Sequence, residues 1–324
     1  MSKIIFTLCS NNYLAHARIL GESLRVHAPD CQFYIGLVDE WDVAIDYNSL
    51  NAEVIKYDTI GRDFTSMLSR YNIIEFNTAV KPYFIDYFFQ RFGKDTMVYY
   101  IDPDIKVYHD LGYLHEQLGQ FDIILTPNLT VLPSKVERGE LASLRHGVFN
   151  LGFIGLRYSE ETMKFIDWWC IRLESHCKID KPRGIFVDQK WVDLAPLFFD
   201  SIGLLKHQGC NMAWWNFSER NLLQLNGKFY VNNSAQDLIF FHFSGFKPKS
   251  TNATVRMNDD SFTLKDEAVL NSLFQSYSEE LIENEYDFYS KRTPLLKFYS
   301  PPNGMGVNLR RRLGLLKKAL VGKV

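Results

Sequence analysis

The run Thr96-Met97-Val98-Tyr99-Tyr100-Ile101, followed at once by Asp102-Pro103-Asp104, constrains this chain more than any other feature. A short, largely apolar run without alternation reads as a strand covered on both faces, as in a parallel or mostly parallel sheet. Proline cannot donate to a central ladder, so the strand ends there. Residues two apart on extended backbone point the same way, so Asp102 and Asp104 project together while Pro103 faces elsewhere. Open α/β sheets bind ligands beyond the carboxyl ends of their strands, and two convergent carboxylates at such an end suit a divalent cation. The spacing alone is not specific. With 22 aspartates in 324 residues, chance supplies about one or two Asp-x-Asp matches, so the pattern needs its context. A solvated turn explains it equally well.

The rest of the chain supplies that context. Lys3 to Cys9 is an apolar β-type run, Ser10-Asn11-Asn12 a polar turn, and Tyr13 to Arg25 carries helical periodicity through Leu14, Ala17, Leu20 and Leu24. Strands follow at Phe33 to Val38, ending in Asp39-Glu40, and near Val54 to Tyr57. Helical stretches at Phe64 to Tyr71 and Ala79 to Gln90 lead into the Asp102 strand. Beyond it come a strand at Phe121 to Leu125 and a glycine-punctuated run from Phe149 to Leu156. A helix from the N-cap Ser159 to about Cys177 is next, then one over Val187 to Phe199 with Asp188-Gln189 in its first turn. This alternation predicts an α/β fold with a mostly parallel sheet between helices.

Composition narrows the classes. The apolar fraction of 46% is ample for one large domain with an appendage. A formal net charge of −2 creates no global field for nucleic acid. Cys9, Cys31, Cys170, Cys177 and Cys210 are odd in number and scattered, which predicts reduced thiols in a cytoplasmic protein. No stretch resembles a signal peptide or a transmembrane helix. Aromatic residues reach 15%; the pairs Trp168-Trp169 and Trp214-Trp215 suit an aromatic core or a sugar cleft equally.

A second informative strand end is Leu238-Ile239-Phe240-Phe241-His242-Phe243, followed by Ser244-Gly245-Phe246-Lys247-Pro248. A histidine in an apolar strand is more often a hydrogen-bonded core residue than a ligand. Here Gly245 permits close backbone approach and Lys247 offers a point charge, both suited to a diphosphate beside a metal. Two carboxylates and one imidazole, completed by phosphate oxygens, fit octahedral Mn²⁺ or Mg²⁺ better than tetrahedral Zn²⁺.

With these motifs in order, the chain resembles the GT-A fold nucleotide-sugar glycosyltransferases, close to the family-8 type that includes glycogenin and bacterial lipo-oligosaccharide galactosyltransferases. Phe149-Asn150-Leu151-Gly152-Phe153-Ile154-Gly155, Val187-Asp188-Gln189-Lys190-Trp191-Val192-Asp193 and Phe241-His242-Phe243-Ser244-Gly245 also resemble bacterial polysaccharide-assembly glycosyltransferases. The likeness spans roughly residues 3 to 250. It implies a nucleotide-sugar-binding catalytic domain over 1–262; a C-terminal helical extension over 263–307 and a basic amphipathic tail over 308–324 follow it in the chain. It further implies that Asp102, Asp104 and His242 hold the metal, with Asp102 also near the ribose. Thr7 and Tyr13 would border the nucleobase, and Asp39 would accept from it. Lys81 would lie near the aspartates and donor, Asn150 and Gly152 against the donor sugar, Asp188 on its hydroxyls, and Gly245 with Lys247 on the diphosphate. Gln189 would lie beneath the anomeric carbon. Plainer roles compete: Tyr13 as a helix staple, Lys81 as a surface charge, Asp188 as an N-terminal helix carboxylate. Two departures stand out, the absence of an acidic residue before Asn12-Tyr13 and Lys249 in place of tryptophan after Lys247-Pro248.

The Asp188-Gln189 pair favours retention of anomeric configuration, while an inverting enzyme would use Asp188 or Asp193 as base. A sugar-nucleotide pyrophosphorylase would need a glycine-rich basic loop where Cys9-Ser10-Asn11-Asn12 stands, and a non-catalytic sugar-binding module would show no donor hydrolysis. In the tail, Leu309, Leu313, Leu316 and Leu320 share one helical face, with Arg310, Arg311, Arg312, Lys317, Lys318 and Lys323 and no acid. That pattern suits an anionic membrane surface, where lipid-linked acceptors reside; a solvated tail or an oligomer contact is the alternative.

Overall fold

The computed structural model describes residues 1–135, 138–232, 236–248, 254–257, 260–263 and 268–299. Lys249 and the basic tail over 308–324 lie outside the described residues.

Four strands expected from the apolar runs form the parallel heart of the fold: β1 (Ser2–Cys9), β2 (Gln32–Leu37), β3 (Glu53–Lys56) and β4 (Thr96–Ile101). After the turn at Pro103 come β5 (Ile105–Val107), β6 (Ile123–Pro127) and β7 (Phe149–Arg157). Among the described residues the main sheet runs Ile202–Leu204, β6, β7, β4, β1, β2, β3. All neighbours are parallel except β7, which lies antiparallel between β4 and β6. The expected α/β architecture, a mostly parallel sheet flanked by helices, is what the chain adopts.

Alternate residues of β1 explain the two covered faces. Ile4, Phe6 and Leu8 join Tyr100 and Ile154 in a core beneath the helices Lys81–Phe92 and Glu160–His176. Ile5 joins Tyr99, Ile101 and Phe153 in another, beneath Leu14–His27 and Gly112–Gln120. Ser159 caps its helix by accepting from Thr162 N at 3.0 Å, as its position predicts. The helix expected over Val187 to Phe199 is instead one α-turn, Gln189–Val192, and a 3₁₀ turn, Ala195–Leu197. Pro196 cannot donate inside a helix, which accounts for the break.

The position of β7 matters most for the site. Because it runs against β4, with Phe153 opposite Ile101, its first residues reach the edge where β4 ends. β5 then pairs antiparallel with Phe240–His242, placing His242 opposite Ile105. The helix Ala268–Glu283 packs over this ladder, with Tyr277 stacked on Phe243 at 3.7 Å. No helix among the described residues is long and apolar enough to cross a membrane.

Candidate active site

Asp102 and Asp104 flank a turn closed by Ile105 N donating to Asp102 O at 3.1 Å. His242 Nε2 lies 3.1 Å from Asp104 Oδ1 and 3.6 Å from Asp102 Oδ2, so all three side chains fall within reach of one ion. Their charges are interdependent. Burial raises the Asp102 carboxyl against the opposing Lys81 and His242 charges. Burial acts the same way on Asp104, but His242 outweighs it and holds Asp104 below the usual carboxylate range. His242 is correspondingly raised, its contact with Asp104 overcoming the cost of burial. A hard oxygen and nitrogen donor set of this kind fits Mn²⁺ or Mg²⁺.

The first residues of β7 complete the wall. A Cβ at Gly152 would lie 2.5 Å from His242 Cε1, so glycine is required for the imidazole to approach the strand. Gly152 N donates to Asn150 Oδ1 at 3.1 Å, and its carbonyl accepts from Asp102 N at 2.7 Å. Lys81 is fully buried, not a surface charge. Its Nζ donates to Leu151 O at 2.8 Å and to Asp188 Oδ2 at 2.5 Å, and lies over the Tyr100 ring. Tyr100 in turn donates to Asp102 Oδ1 at 2.5 Å, so one buried chain of contacts links Asp188 to the aspartate pair. Burial raises the Asp188 carboxyl, with Lys81 opposing.

Gln189 is clamped by backbone: Leu151 N donates to its Oε1 at 3.1 Å, and its Nε2 donates to His146 O at 3.2 Å. Just before this pair the backbone of Val187 has φ 41°, uncommon for a β-branched residue and a sign of strain held beside Asp188. Asp193 is engaged elsewhere, accepting from Val148 N and Lys190 Nζ, both at 2.8 Å.

The remaining candidates spread around this edge. Thr7 is buried with an unpartnered Oγ1, and Asn12 Oδ1 and Trp215 Nε1 are likewise unpartnered. Trp215 lies edge-on to His242 at 5.1 Å. Tyr13 is 42% exposed and stacks on His16. Asp39 is buried, its carboxylate accepting from Asn11 N, Glu40 N, Leu295 N and Leu296 N. Gly245 has φ 74°, which favours glycine, and Lys247 is exposed beyond it. The sequence reading missed Tyr100 and two partners of Asn150: Thr126, whose Oγ1 donates to Asn150 O at 2.9 Å, and Asn211, whose Nδ2 donates to Asn150 Oδ1 at 3.0 Å. Tyr100 could have been found, since it shares the strand face of Asp102 two residues on; Asn211 carries no local signal.

Asp30, Cys31 and His115 form a second group of potential ligands among the described residues, near the start of β2. There Lys3 Nζ lies 2.5 Å from Asp30, and burial with the Asp30 charge pushes the Cys31 thiol up to about 12. Both effects oppose a bound cation.

No family model matches the chain. It is 25% identical over 212 residues to the uncharacterised YfnF of Bacillus subtilis (strain 168), covering 65% of this chain and 69% of that protein. It is 22% identical over 245 residues to the uncharacterised YfnD of the same organism, covering 74% and 76%. Solved structures similar to it include the galactosyltransferase LgtC in complex with donor and acceptor sugar analogues, at 17% identity, 67% and 77% coverage and a TM-score of 0.43. The glycosyltransferase GlyE of Streptococcus pneumoniae TIGR4 gives 15%, 90%, 66% and 0.47. Mouse xyloside xylosyltransferase 1 gives 14%, 75%, 97% and 0.44.

Proposed function

We propose that the chain is a metal-dependent glycosyltransferase that moves a hexose from a nucleotide diphosphate sugar, a UDP-sugar, to a glycan or lipid-linked acceptor in bacterial surface polysaccharide synthesis. The observation that carries the reading is the meeting of Asp102, Asp104 and His242 at the end of β4, in the same wall as Asn150 and the Lys81–Asp188 pair. Asp102, Asp104 and His242 would hold Mn²⁺ or Mg²⁺, which supplies charge neutralisation to a departing diphosphate. The unpartnered Thr7 and Asn12 oxygens offer polar contacts to a base and ribose, and Tyr13 an exposed ring for stacking. Gly245 and Lys247 serve the diphosphate.

Transfer passes through an oxocarbenium-like state, so the protein's tasks are to favour the leaving group and to place the acceptor hydroxyl. Gln189, held at both ends of its amide, is suited to a fixed dipole at the anomeric carbon. Asp188 is neutralised by Lys81, and Asp193 is committed to Val148 and Lys190. Neither is poised as an inverting base, which favours retention.

Screening UDP-, GDP- and dTDP-sugars for hydrolysis with Mn²⁺ tests the reading. Turnover with a UDP-sugar that falls by roughly a hundredfold or more in Asp104→Ala is expected; turnover without added metal and unchanged in that variant would refute it. The anomeric configuration of the product, read by NMR, decides retention. Peripheral contact of 308–324 with the inner face of the cytoplasmic membrane rests on the sequence pattern. Liposome binding unchanged after its deletion would end that part.

A further inference from the structure

We propose that Asn211 is a positioning residue that keeps the proton of the His242 ring on Nδ1 and turns the Nε2 lone pair toward Asp102 and Asp104. The inference deepens the metal reading of this site and rests on it for its consequence, but the ring assignment follows from hydrogen-bond logic alone.

The segment carrying Asn211 runs beside the His242 strand, with His242 N donating to Met212 O at 2.9 Å. Asn211 is buried, with φ 56°, a conformation that asparagine tolerates better than most residues. Its carbonyl accepts from Asn216 Nδ2 at 3.0 Å, so the backbone is held as well.

Two anchors orient the Asn211 amide. Gly152 N can only donate, and it donates to Asn150 Oδ1. The Asn211 atom 3.0 Å from that same oxygen must therefore also be a donor, Nδ2. Independently, Thr126 gives its single hydroxyl proton to Asn150 O at 2.9 Å. Its Oγ1 can then only accept, and the Asn211 atom at 3.1 Å is again Nδ2. Both amide hydrogens are consumed. What faces His242 Nδ1, at 3.2 Å, is Oδ1, which can only accept. Nδ1 consequently carries a proton. In the neutral ring Nε2 does not. Once Nε2 has given up the hydrogen it otherwise donates to Asp104, its lone pair and the two carboxylates are three electron-pair donors converging on one point. Such an arrangement is completed by a cation. Partners of this kind behind a ligating histidine are typically worth 10–100-fold in metal affinity.

The test uses the full chain labelled with ¹⁵N-histidine. In metal-free protein at a pH where the ring is neutral, long-range ¹H–¹⁵N spectra assigned by His242→Gln should show a protonated Nδ1 and a pyridine-type Nε2. Mn²⁺ titration followed by EPR should show a tenfold or greater loss of affinity in Asn211→Gly, which suits the positive φ and folds without backbone strain. Asn211→Asp keeps an acceptor toward Nδ1 but loses both donations, and should bind Mn²⁺ more tightly than the glycine variant. The added charge would by itself draw the cation, so the deciding readout is the ring: the protonated Nδ1 and pyridine-type Nε2 signals should persist in Asn211→Asp and be lost in Asn211→Gly. A pyridine-type Nδ1 in the parent protein, or parental Mn²⁺ affinity in folded Asn211→Gly, overturns the proposal. If the parent protein binds no Mn²⁺, the metal reading fails and the ring shifts alone judge Asn211.

Discussion

Replacing Gly152 with alanine should separate the packing of the site from its ability to hold a cation. The new methyl would lie 2.5 Å from His242 Cε1, 2.8 Å from its Nδ1 and 2.8 Å from Asn150 Oδ1, where ordinary contact begins at 3.4 Å. Gly152 is not among the glycines with positive φ, so alanine brings no backbone strain and the whole effect is steric. The ring has to retreat by about 0.9 Å, while ligand distances at a metal tolerate about 0.2 Å. Overpacking of this kind costs about 1–3 kcal/mol in stability. Gly155→Ala is the control: on the same strand its methyl meets Ile124 and Tyr99 at 2.7 to 3.0 Å, away from the aspartates. Urea denaturation should show both variants destabilised, and Mn²⁺ titration should show a loss of about tenfold or more, roughly 1.4 kcal/mol, in Gly152→Ala only. A folded Gly152→Ala with parental affinity, or an equal loss in Gly155→Ala, would refute the reasoning.

Lys81→Met leaves the Asp188 carboxylate buried without its partner and should cost about 3–5 kcal/mol in denaturant unfolding. The double variant with Asp188→Leu should regain at least half of that; no recovery would mean that the pair is not the source of the loss. Burial lowers the His16 imidazole to about 4 from its ordinary 6.5. The unfolded chain therefore binds more protons between these values, and stability present above about pH 6.5 is lost as pH falls toward 4, by about 3 kcal/mol at full effect. His16→Gln should flatten that part of the stability profile, and an unchanged slope would exclude His16 as its cause.

The strands and the carboxyl end of β4 were legible because a doubly covered strand and a proline stop leave direct marks in sequence. The approach of His242 was legible only through an ordered set of motifs, since its partner strand β5 is three residues long and sits far away in the chain. Lys81 and Gly152 were picked out without their surroundings. The burial of the lysine depends on Asp188, and the need for glycine depends on an imidazole supplied by another strand. Asn211 was invisible because nothing local distinguishes an asparagine that orients a ring from one that makes a turn. The broken helix after Val187 is a milder miss, since Pro196 announced it.

Asp39 has a consequence for the order in which the protein forms. Its carboxylate, at the end of the second strand, accepts from Leu295 and Leu296, 256 and 257 residues further on. During synthesis the amino-terminal half of the sheet emerges long before those amides exist, so this acid stays short of partners until nearly all of the described chain has left the ribosome. Closure of that contact is among the most non-local events in the fold, and non-local contacts form late. A chain ending before residue 295 would keep every proposed metal ligand and still lack the two amides that complete the partners of the Asp39 carboxylate.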